Sequence, residues 1–204
     1  MLAASGLECV RGERTLFSGL SFAVAPGAGL LVQGANGAGK TSLLRIAVGL
    51  APPAQGHVTW DGRPIRTLGE AYRREVLYCG HPNALKDDLT AVENVRAAAA
   101  LAGRSITTAA ARGALAQVGV AAAAELPVRS LSQGQKRRAA LARLALGGAR
   151  LWVLDEPLAA LDASGVEWLA AAIDAHLAAG GMALVTSHQS LATRGALATL
   201  KLGA

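Results

Sequence analysis

The sequence predicts an α/β domain with a mainly parallel core sheet flanked by helices, an N-terminal antiparallel β part and an inserted helical subdomain. Three observations lead to this fold class. The segments Leu151–Leu154 and Met182–Thr186 are almost uninterrupted apolar runs, as expected for parallel strands that are buried on both faces. A glycine-rich turn joins the apolar residues 30–32 to a helix-like segment. Residues 97–124 are rich in alanine, which favours helices.

Five segments in the first 80 residues are predicted to be strands. They lie at 7–10, 16–24, 30–33, 57–62 and 75–79. In 16–24 the larger apolar side chains mostly alternate with small or polar ones, which is typical of a strand with one buried face. Residues 40–50 are expected to form a helix, because Pro52-Pro53 ends the segment and prolines stop helices.

The middle of the chain is predicted to be helical. Thr90 and Glu93 have the spacing of a capping box, which opens a helix through Leu101. A second helix covers 107–118. Ser132 and Gln135 repeat the capping-box spacing and start a third helix through Leu146. We expect a helical subdomain at about 88–145, inserted in the α/β core of a single nucleotide-binding domain over 1–204.

The C-terminal third returns to strands and one long helix. After the strand Leu151–Leu154, a helix is predicted to start near Ser164, because apolar residues recur there at helical spacing. Gly180-Gly181 ends this helix. The strand Met182–Thr186 follows, and a last strand is expected at 198–202.

Composition limits the classes of function. The 204 residues suffice for one α/β domain, and no apolar run approaches the roughly 20 residues of a membrane span. The N-terminus lacks the layout of a secretion signal, so we expect a cytoplasmic protein. The net charge of +6 comes from scattered residues and short clusters such as 136–138, which are predicted to be solvated surface. No aromatic residues are interleaved with them, and no nucleic-acid partner is expected.

The segment 34–41 fits the pattern of a phosphate-binding loop. It consists of Gly34, Ala35, Asn36, Gly37, Ala38, Gly39, Lys40 and Thr41, and Ser42 continues into the predicted helix. The glycines let backbone N–H groups turn onto phosphate oxygens, and the new helix adds its positive end. Lys40 is expected to reach the β- and γ-phosphates and the Thr41 hydroxyl to ligate Mg²⁺. The alternative interpretation is an ordinary turn between strand and helix.

Two adjacent carboxylates, Asp155 and Glu156, follow the strand Leu151–Leu154. Ligands of open α/β sheets bind outside the carboxyl ends of the strands. We expect Asp155 to hold Mg²⁺ through water and Glu156 to polarise the water that attacks the nucleotide. A solvated acidic pair at a strand end is the structural alternative.

The segment 131–135 is the second decisive motif, because it departs from the sequence Leu-Ser-Gly-Gly-Gln only at Gln133. Along the chain, the order is phosphate loop, helical insert, this motif, Asp155-Glu156, Asp162 and His188. By these residues the chain resembles the ATP-binding subunits of ABC transporters over almost all of its length. The resemblance implies a P-loop NTPase fold of ABC type that binds ATP and Mg²⁺.

The resemblance also implies roles for further residues. In the family, the motif that contains Ser132, Gly134 and Gln135 docks on the γ-phosphate held by another subunit, so two copies enclose two ATP molecules head to tail. His188 would be the switch histidine that contacts the γ-phosphate and the water. Asp162 would lie in the loop that communicates across the dimer. The alternatives are that Ser132 is an ordinary helix N-cap and that His188 is a polar residue whose hydrogen bonds are satisfied without a functional role.

Two positions depart from the usual family pattern. Arg11 stands where many members place an aromatic residue against adenine. Its planar guanidinium can stack on a base, and an exposed turn arginine is the alternative. His81 stands where the family has a glutamine that senses Mg²⁺ and couples to the membrane partner. Histidine can bond water or metal, but with different geometry and charge.

Segments 14–22, 80–81 and 89–94 further resemble the ATP-binding subunit of a haem exporter in cytochrome c maturation. This resemblance implies integral membrane transporter subunits as separate chains and a second ATP-binding subunit. It also implies a peripheral position on the cytoplasmic face of the inner or plasma membrane. ATP hydrolysis would be coupled to the release of haem or of a haem-loaded chaperone.

Three other functions stay open from the sequence. The chain could serve another ABC exporter. The second is a soluble ABC ATPase that acts on nucleic acid or the ribosome, and only the net charge favours it. The chain has a single ATP-binding cassette and no long coiled coil, and both features count against this function. A non-hydrolysing regulatory subunit is disfavoured by Glu156 and His188.

Overall fold

The structure of the protein, a computed structural model, describes residues 1–188, 191–195 and 197–203. The described strands form a five-stranded parallel sheet and a four-stranded antiparallel sheet, and helices pack on the parallel sheet. A helical region lies between the two halves of the parallel sheet in sequence. The predicted fold class is therefore confirmed.

The parallel sheet places three loops side by side. Its strands are β3 (Gly29–Gln33), β6 (Val76–Cys79), β7 (Leu151–Leu154), β8 (Met182–Thr186) and β9 (Ala198–Lys201), in the order β6-β7-β8-β3-β9. Every residue of β7 and β8 is buried, as their apolar runs predict. Because β7, β8 and β3 are neighbours, the acidic pair, His188 and the glycine-rich loop emerge at the same edge of the sheet.

The antiparallel sheet contains the N-terminal strands. It consists of β1 (Leu2–Arg11), β2 (Arg14–Val24), β4 (Gln55–Trp60) and β5 (Arg63–Pro64), in the order β2-β1-β4-β5. Strands β1 and β2 begin earlier than predicted. The register of their pairing shifts three times between Ala4 and Val10, and these irregularities interrupt the alternation from which strands are predicted.

The described helices are α1 (Lys40–Ala47), α2 (Ile65–Leu68), α3 (Glu70–Glu75), α4 (Ala91–Leu101), α5 (Thr108–Gln117), α6 (Gln133–Leu141) and α7 (Ala163–Ala178). Both predicted capping boxes are present, at Thr90 and at Ser132. Helices α4 to α6 share a hydrophobic cluster of their own, built largely from alanine and valine side chains. Within the described ranges, no helix combines the length and hydropathy that crossing a bilayer requires.

Three parts of the prediction were incomplete or wrong. Residues 63–75 contain β5, α2 and α3, which are too short to produce a recognisable period. Glu75 accordingly belongs to α3 and not to the next strand. Helix α1 ends at Ala47, since Gly49 adopts a left-handed conformation two residues later. The helix after Ser132 changes to a 3-10 helix over Ala142–Leu146.

A substitution at Gly56 is expected to destabilise the antiparallel sheet strongly. Gly56 has a φ of +82°, and a Cβ atom there would lie 2.4 Å from the carbonyl oxygens of Ser5 and Gly6. Gly62 has a φ of +78° with nothing near its Cβ position. In chemical denaturation, Gly62→Ala should lower the free energy of unfolding by about 1 kcal/mol, and Gly56→Ala by roughly 3 kcal/mol or more. Equal losses would show that the close approach at Gly56 is unimportant.

The stability of the fold should depend on the pH through His176. Its ring stacks on Trp152 with a centroid distance of 3.9 Å, and burial lowers its pKa below the ordinary value. A lowered pKa means that the unfolded chain binds the proton better, so this stabilisation is complete above about pH 6.5 and is lost as the pH falls through the folded pKa. Thermal melting between pH 8 and 5 should show this loss. His176→Phe should flatten the dependence, whereas the exposed His57→Gln should leave it in place.

Candidate active site

The glycine-rich loop joins β3 to α1 in a conformation that favours glycine at several positions, of which Gly39 and Gly34 also lack room for a side chain. Gly39 has a φ of +98°, and a Cβ atom there would lie 3.1 Å from Leu16 and Phe17. At Gly34 a Cβ atom would lie 2.8 Å from the carbonyl oxygen of Leu202. The N-terminus of α1 follows this loop directly, so its free backbone N–H groups face the same region.

Lys40 is buried at the start of α1, and its ammonium group uses three contacts. It donates to the carbonyl oxygens of Gly34 at 2.8 Å and Ala35 at 3.2 Å. Its Nζ also lies 3.2 Å from Nε2 of His188. An ammonium has three donors, so a phosphate oxygen can bind Lys40 only by replacing or sharing one of these partners. His188 is the partner with an exposed side chain, at 50%.

Asp155 is the buried carboxylate of the acidic pair. Its side chain is 1% exposed, and Oδ1 accepts a hydrogen bond of 2.9 Å from the Thr186 hydroxyl. Oδ2 is buried and has no hydrogen-bond partner among the described residues. A buried carboxylate oxygen without a donor is costly, which indicates a site that binds a cation or ordered water.

Glu156 lies beside His188, with Oε1 3.4 Å from Nε2 of the histidine. Oε2 accepts a hydrogen bond of 3.3 Å from the backbone N–H of His188. Nε2 of a neutral histidine either accepts from Lys40 or donates to Glu156, but not both. The backbone of Glu156 has a φ of +47°, which is uncommon outside glycine, and its N–H donates to Thr186 Oγ1 at 2.8 Å. The neighbouring strand therefore holds Glu156 in a strained conformation.

A cavity of about 720 Å³ is lined by Lys40, Glu156 and His188, whereas Asp155 is not among its lining residues. The predicted site residues that line it come from five separate segments of the chain: Arg11, Asn36, Gly37, Gly39, Lys40, Thr41, Ser42, His81, Glu156 and His188. The two atypical positions, Arg11 and His81, thus face the same space as the phosphate loop. Ala38 does not line the cavity; its N–H donates to the carbonyl oxygen of Ala35 and closes the loop.

Four further predicted residues lie together on a different surface. Ser132, Gly134, Gln135 and Asp162 line a separate concavity at the N-terminus of α6. Asp162 caps α7 through the N–H of Gly165 and pairs with Arg138, and these hydrogen bonds lower its pKa below the ordinary value. One copy of the chain therefore carries two groups of predicted ligand-binding residues that do not share a cavity.

Two residues at the site were missed or misjudged from the sequence. Thr186 ends a buried strand and contacts both Asp155 and Glu156. The one signal for this role in the sequence is the position of Thr186 two residues before His188. Arg137 belongs to the basic cluster that was predicted to be solvated surface. That prediction is wrong for Arg137, which is 3% exposed and donates to backbone around the acidic pair.

Comparison with known sequences gives a consistent result. The family described as "ABC transporter" matches residues 17–159. The protein named "Cytochrome c biogenesis ATP-binding export protein CcmA" from Dechloromonas aromatica is 51% identical over 204 residues, which is all of both chains. The protein of that name from Pseudomonas aeruginosa is also 51% identical over the full length of both chains.

Comparison with solved structures supports the fold. A putative ABC transporter ATP-binding protein from Pyrococcus furiosus superposes with a TM-score of 0.84 at 23% identity, covering 98% of this chain and 96% of that one. The dimeric bacterial ABC transporter cassette MJ0796 gives 0.83 at 22% identity, covering 93% and 88%. At this level of identity the likeness concerns the fold alone.

Proposed function

This chain belongs to the ABC transporter family and, within it, to the group of CcmA proteins, and we propose that it is the ATP-hydrolysing subunit of a membrane-bound export complex for cytochrome c biogenesis. ABC ATP-binding proteins are ATPases. The observation that carries the proposal is full-length identity of about half to relatives named as cytochrome c biogenesis export proteins. The cavity at the phosphate loop supplies the chemistry.

We assign the phosphates of ATP to the loop 34–39 and the first turn of α1. The backbone N–H groups of the loop and of Thr41 and Ser42 would bind phosphate oxygens, and Lys40 would turn its ammonium onto the β- and γ-phosphates. This assignment is supported by the burial of Lys40 at the edge of the cavity and by its exposed, replaceable partner His188. Arg11 would lie at the adenine end, where its guanidinium can stack on the base.

The residues at the edge of the sheet suit Mg²⁺. Thr41 lines the cavity, and Asp155 has a buried carboxylate oxygen without a partner among the described residues. A hydroxyl and a carboxylate are oxygen ligands of the kind that Mg²⁺ takes, alongside water. When bound, the ion would neutralise charge on the phosphates. Asp155 would hold it through water, and Thr186 would keep Asp155 in place by its hydrogen bond.

Glu156 is the proposed general base. Its carboxylate lies at the cavity and would accept a proton from the water that attacks the γ-phosphate. His188 contacts both Glu156 and Lys40, so its side chain would sense whether a phosphate has displaced it from Lys40. His81 lines the same cavity and would contact the attacking water or the ion there, in place of the family's glutamine.

A second copy of the chain is proposed to complete each site. Ser132, Gly134, Gln135 and Asp162 lie outside the cavity, on a surface that includes a helix N-terminus. The N-terminus of a helix attracts anions, and docking on the γ-phosphate bound to another copy would give the N–H groups at the start of α6 an anionic partner. Two chains would then enclose two ATP molecules head to tail, which excludes water from the reaction. The fold likeness to a dimeric cassette is compatible with this arrangement.

The membrane partners are proposed to be integral subunits on separate chains, with this chain peripheral on the cytoplasmic face. ATP hydrolysis would drive the release of haem or of a haem-loaded chaperone. The test is affinity purification of the tagged chain from detergent-solubilised membranes. We expect polytopic membrane proteins of the cytochrome-assembly type to co-purify. Salt-sensitive retention on RNA, without membrane proteins, would instead support the soluble ATPase that acts on nucleic acid or ribosomes.

A further inference from the structure

One buried arginine connects the two surfaces of the proposed site. Arg137 lies on α6, the helix that begins next to Ser132, and is 3% exposed. Its guanidinium has five N–H donors. The structure gives it five acceptors: Pro157 O at 3.2 Å, Gly80 O at 3.2 Å, Asn83 Oδ1 at 3.1 Å, Asp155 O at 3.0 Å and Glu156 O at 2.7 Å.

The five acceptors belong to two loops that carry proposed hydrolytic residues. The loop 155–157 follows β7 and contains Asp155 and Glu156. The loop 80–83 follows β6 and contains His81. A planar guanidinium fixes the angle between its partners, so the two loops and α6 must keep one relative arrangement.

The hydrogen bonds of Arg137 suit the positioning of the two loops better than the stabilisation of the fold. No carboxylate forms an ion pair with Arg137 in the described part of the chain, and its partners are carbonyl and amide oxygens. A buried charge is costly, and well-packed apolar side chains often serve stability equally well. What the guanidinium adds is a set of directional bonds to both loops at once.

We propose that Arg137 is a positioning residue for ATP hydrolysis, which holds Glu156 and His81 in register with the surface that Ser132, Gly134 and Gln135 form at the start of α6. When that surface docks on a second copy, a shift of α6 would move both loops together through this side chain. The proposal rests on the proposed function, in particular on Glu156 as the base. It deepens that function by naming a residue that links the dimer surface to the hydrolytic centre.

The test compares Arg137→Lys with Arg104→Lys in the full chain. Lysine keeps the charge, but its three N–H donors share a single nitrogen atom and cannot reach both loops. We expect kcat to fall about a hundredfold, as for a misplacement of roughly 1 Å, while KM and nucleotide affinity change less than threefold. Arg104 is the matched control, because it also donates to two backbone carbonyls, those of Leu146 and Gly147, away from the cavity.

A second variant covers the case in which Arg137→Lys does not fold. Asn83→Ala removes only the side-chain acceptor in the loop of His81, and kcat should fall about tenfold while the chain stays folded, with a modest loss of stability from the unpaired Arg137 N–H. The inference is overturned if Arg137→Lys folds and keeps the wild-type kcat. If Arg137→Lys is unfolded, a wild-type kcat in Asn83→Ala overturns it. It is also overturned if Arg137→Lys changes kcat only as much as Arg104→Lys does. A wild-type chain that does not hydrolyse ATP would overturn the proposed function together with this inference.

Discussion

Replacement of Glu156 by glutamine is expected to slow ATP hydrolysis at least about a hundredfold while leaving ATP binding intact. The amide has nearly the shape of the carboxylate but cannot accept the proton of the attacking water. Loss of a general base reduces kcat by about 10²- to 10⁴-fold. The contacts of the phosphate loop with Lys40 do not involve Glu156, so the affinity for ATP should stay within a few-fold of wild type. Steady-state hydrolysis and equilibrium binding of a fluorescent ATP analogue measure the two effects separately.

The matched control for this variant is Glu167→Gln. Glu167 is exposed on α7 and does not line the cavity, so the same chemical change there should leave kcat unchanged. Wild-type turnover by Glu156→Gln would remove Glu156 from the mechanism. The proposal would then need another base within the cavity.

Replacement of Lys40 by methionine should have its main effect on binding. The variant keeps the apolar length of the side chain but loses the cation that faces the phosphates. Hydrogen bonds to charged groups contribute about 1.5–3 kcal/mol, so the affinity for ATP should fall roughly 10- to 100-fold and hydrolysis should be undetectable. The carbonyl oxygens of Gly34 and Ala35 also lose their donor, which should loosen the loop. Isothermal titration with ATP measures the affinity.

Lys201→Met provides the control. Lys201 is exposed at the end of β9, so this substitution removes the same charge at a position away from the cavity. Unaltered ATP affinity in Lys40→Met would mean that the ammonium keeps its present partners in the bound state. Equal losses in both variants would attribute the effect to net charge.

The sequence predicted the fold and most of the candidate site, for reasons that are local. The phosphate loop, both capping boxes and the strands Leu151–Leu154 and Met182–Thr186 are contiguous patterns with a direct physical cause. Once neighbouring strands are parallel, residues that follow them must meet at one edge. That geometry brings Lys40, Glu156 and His188 together although 148 residues separate Lys40 from His188.

What the sequence did not predict depends on tertiary packing. The basic segment 136–138 looks like a solvated cluster, yet the turn of α6 points Arg137 inward to carbonyl groups that no sequence pattern reveals. Thr186 is likewise a polar residue at the end of an apolar strand, and its role depends on the neighbouring strand β7. The short elements between 63 and 75 follow their tertiary contacts more than any period of their own.

The central claim is that one copy of this chain carries two halves of different ATP sites. The most direct test is the mass of purified Glu156→Gln in solution, by light scattering during size-exclusion chromatography. With saturating ATP and Mg²⁺, the mass should be that of two chains, and with ADP that of one. Ser132→Arg in the same background should abolish the ATP-dependent dimer while leaving ATP binding in place. A Glu156→Gln chain that binds ATP but keeps the mass of one chain would contradict the claim.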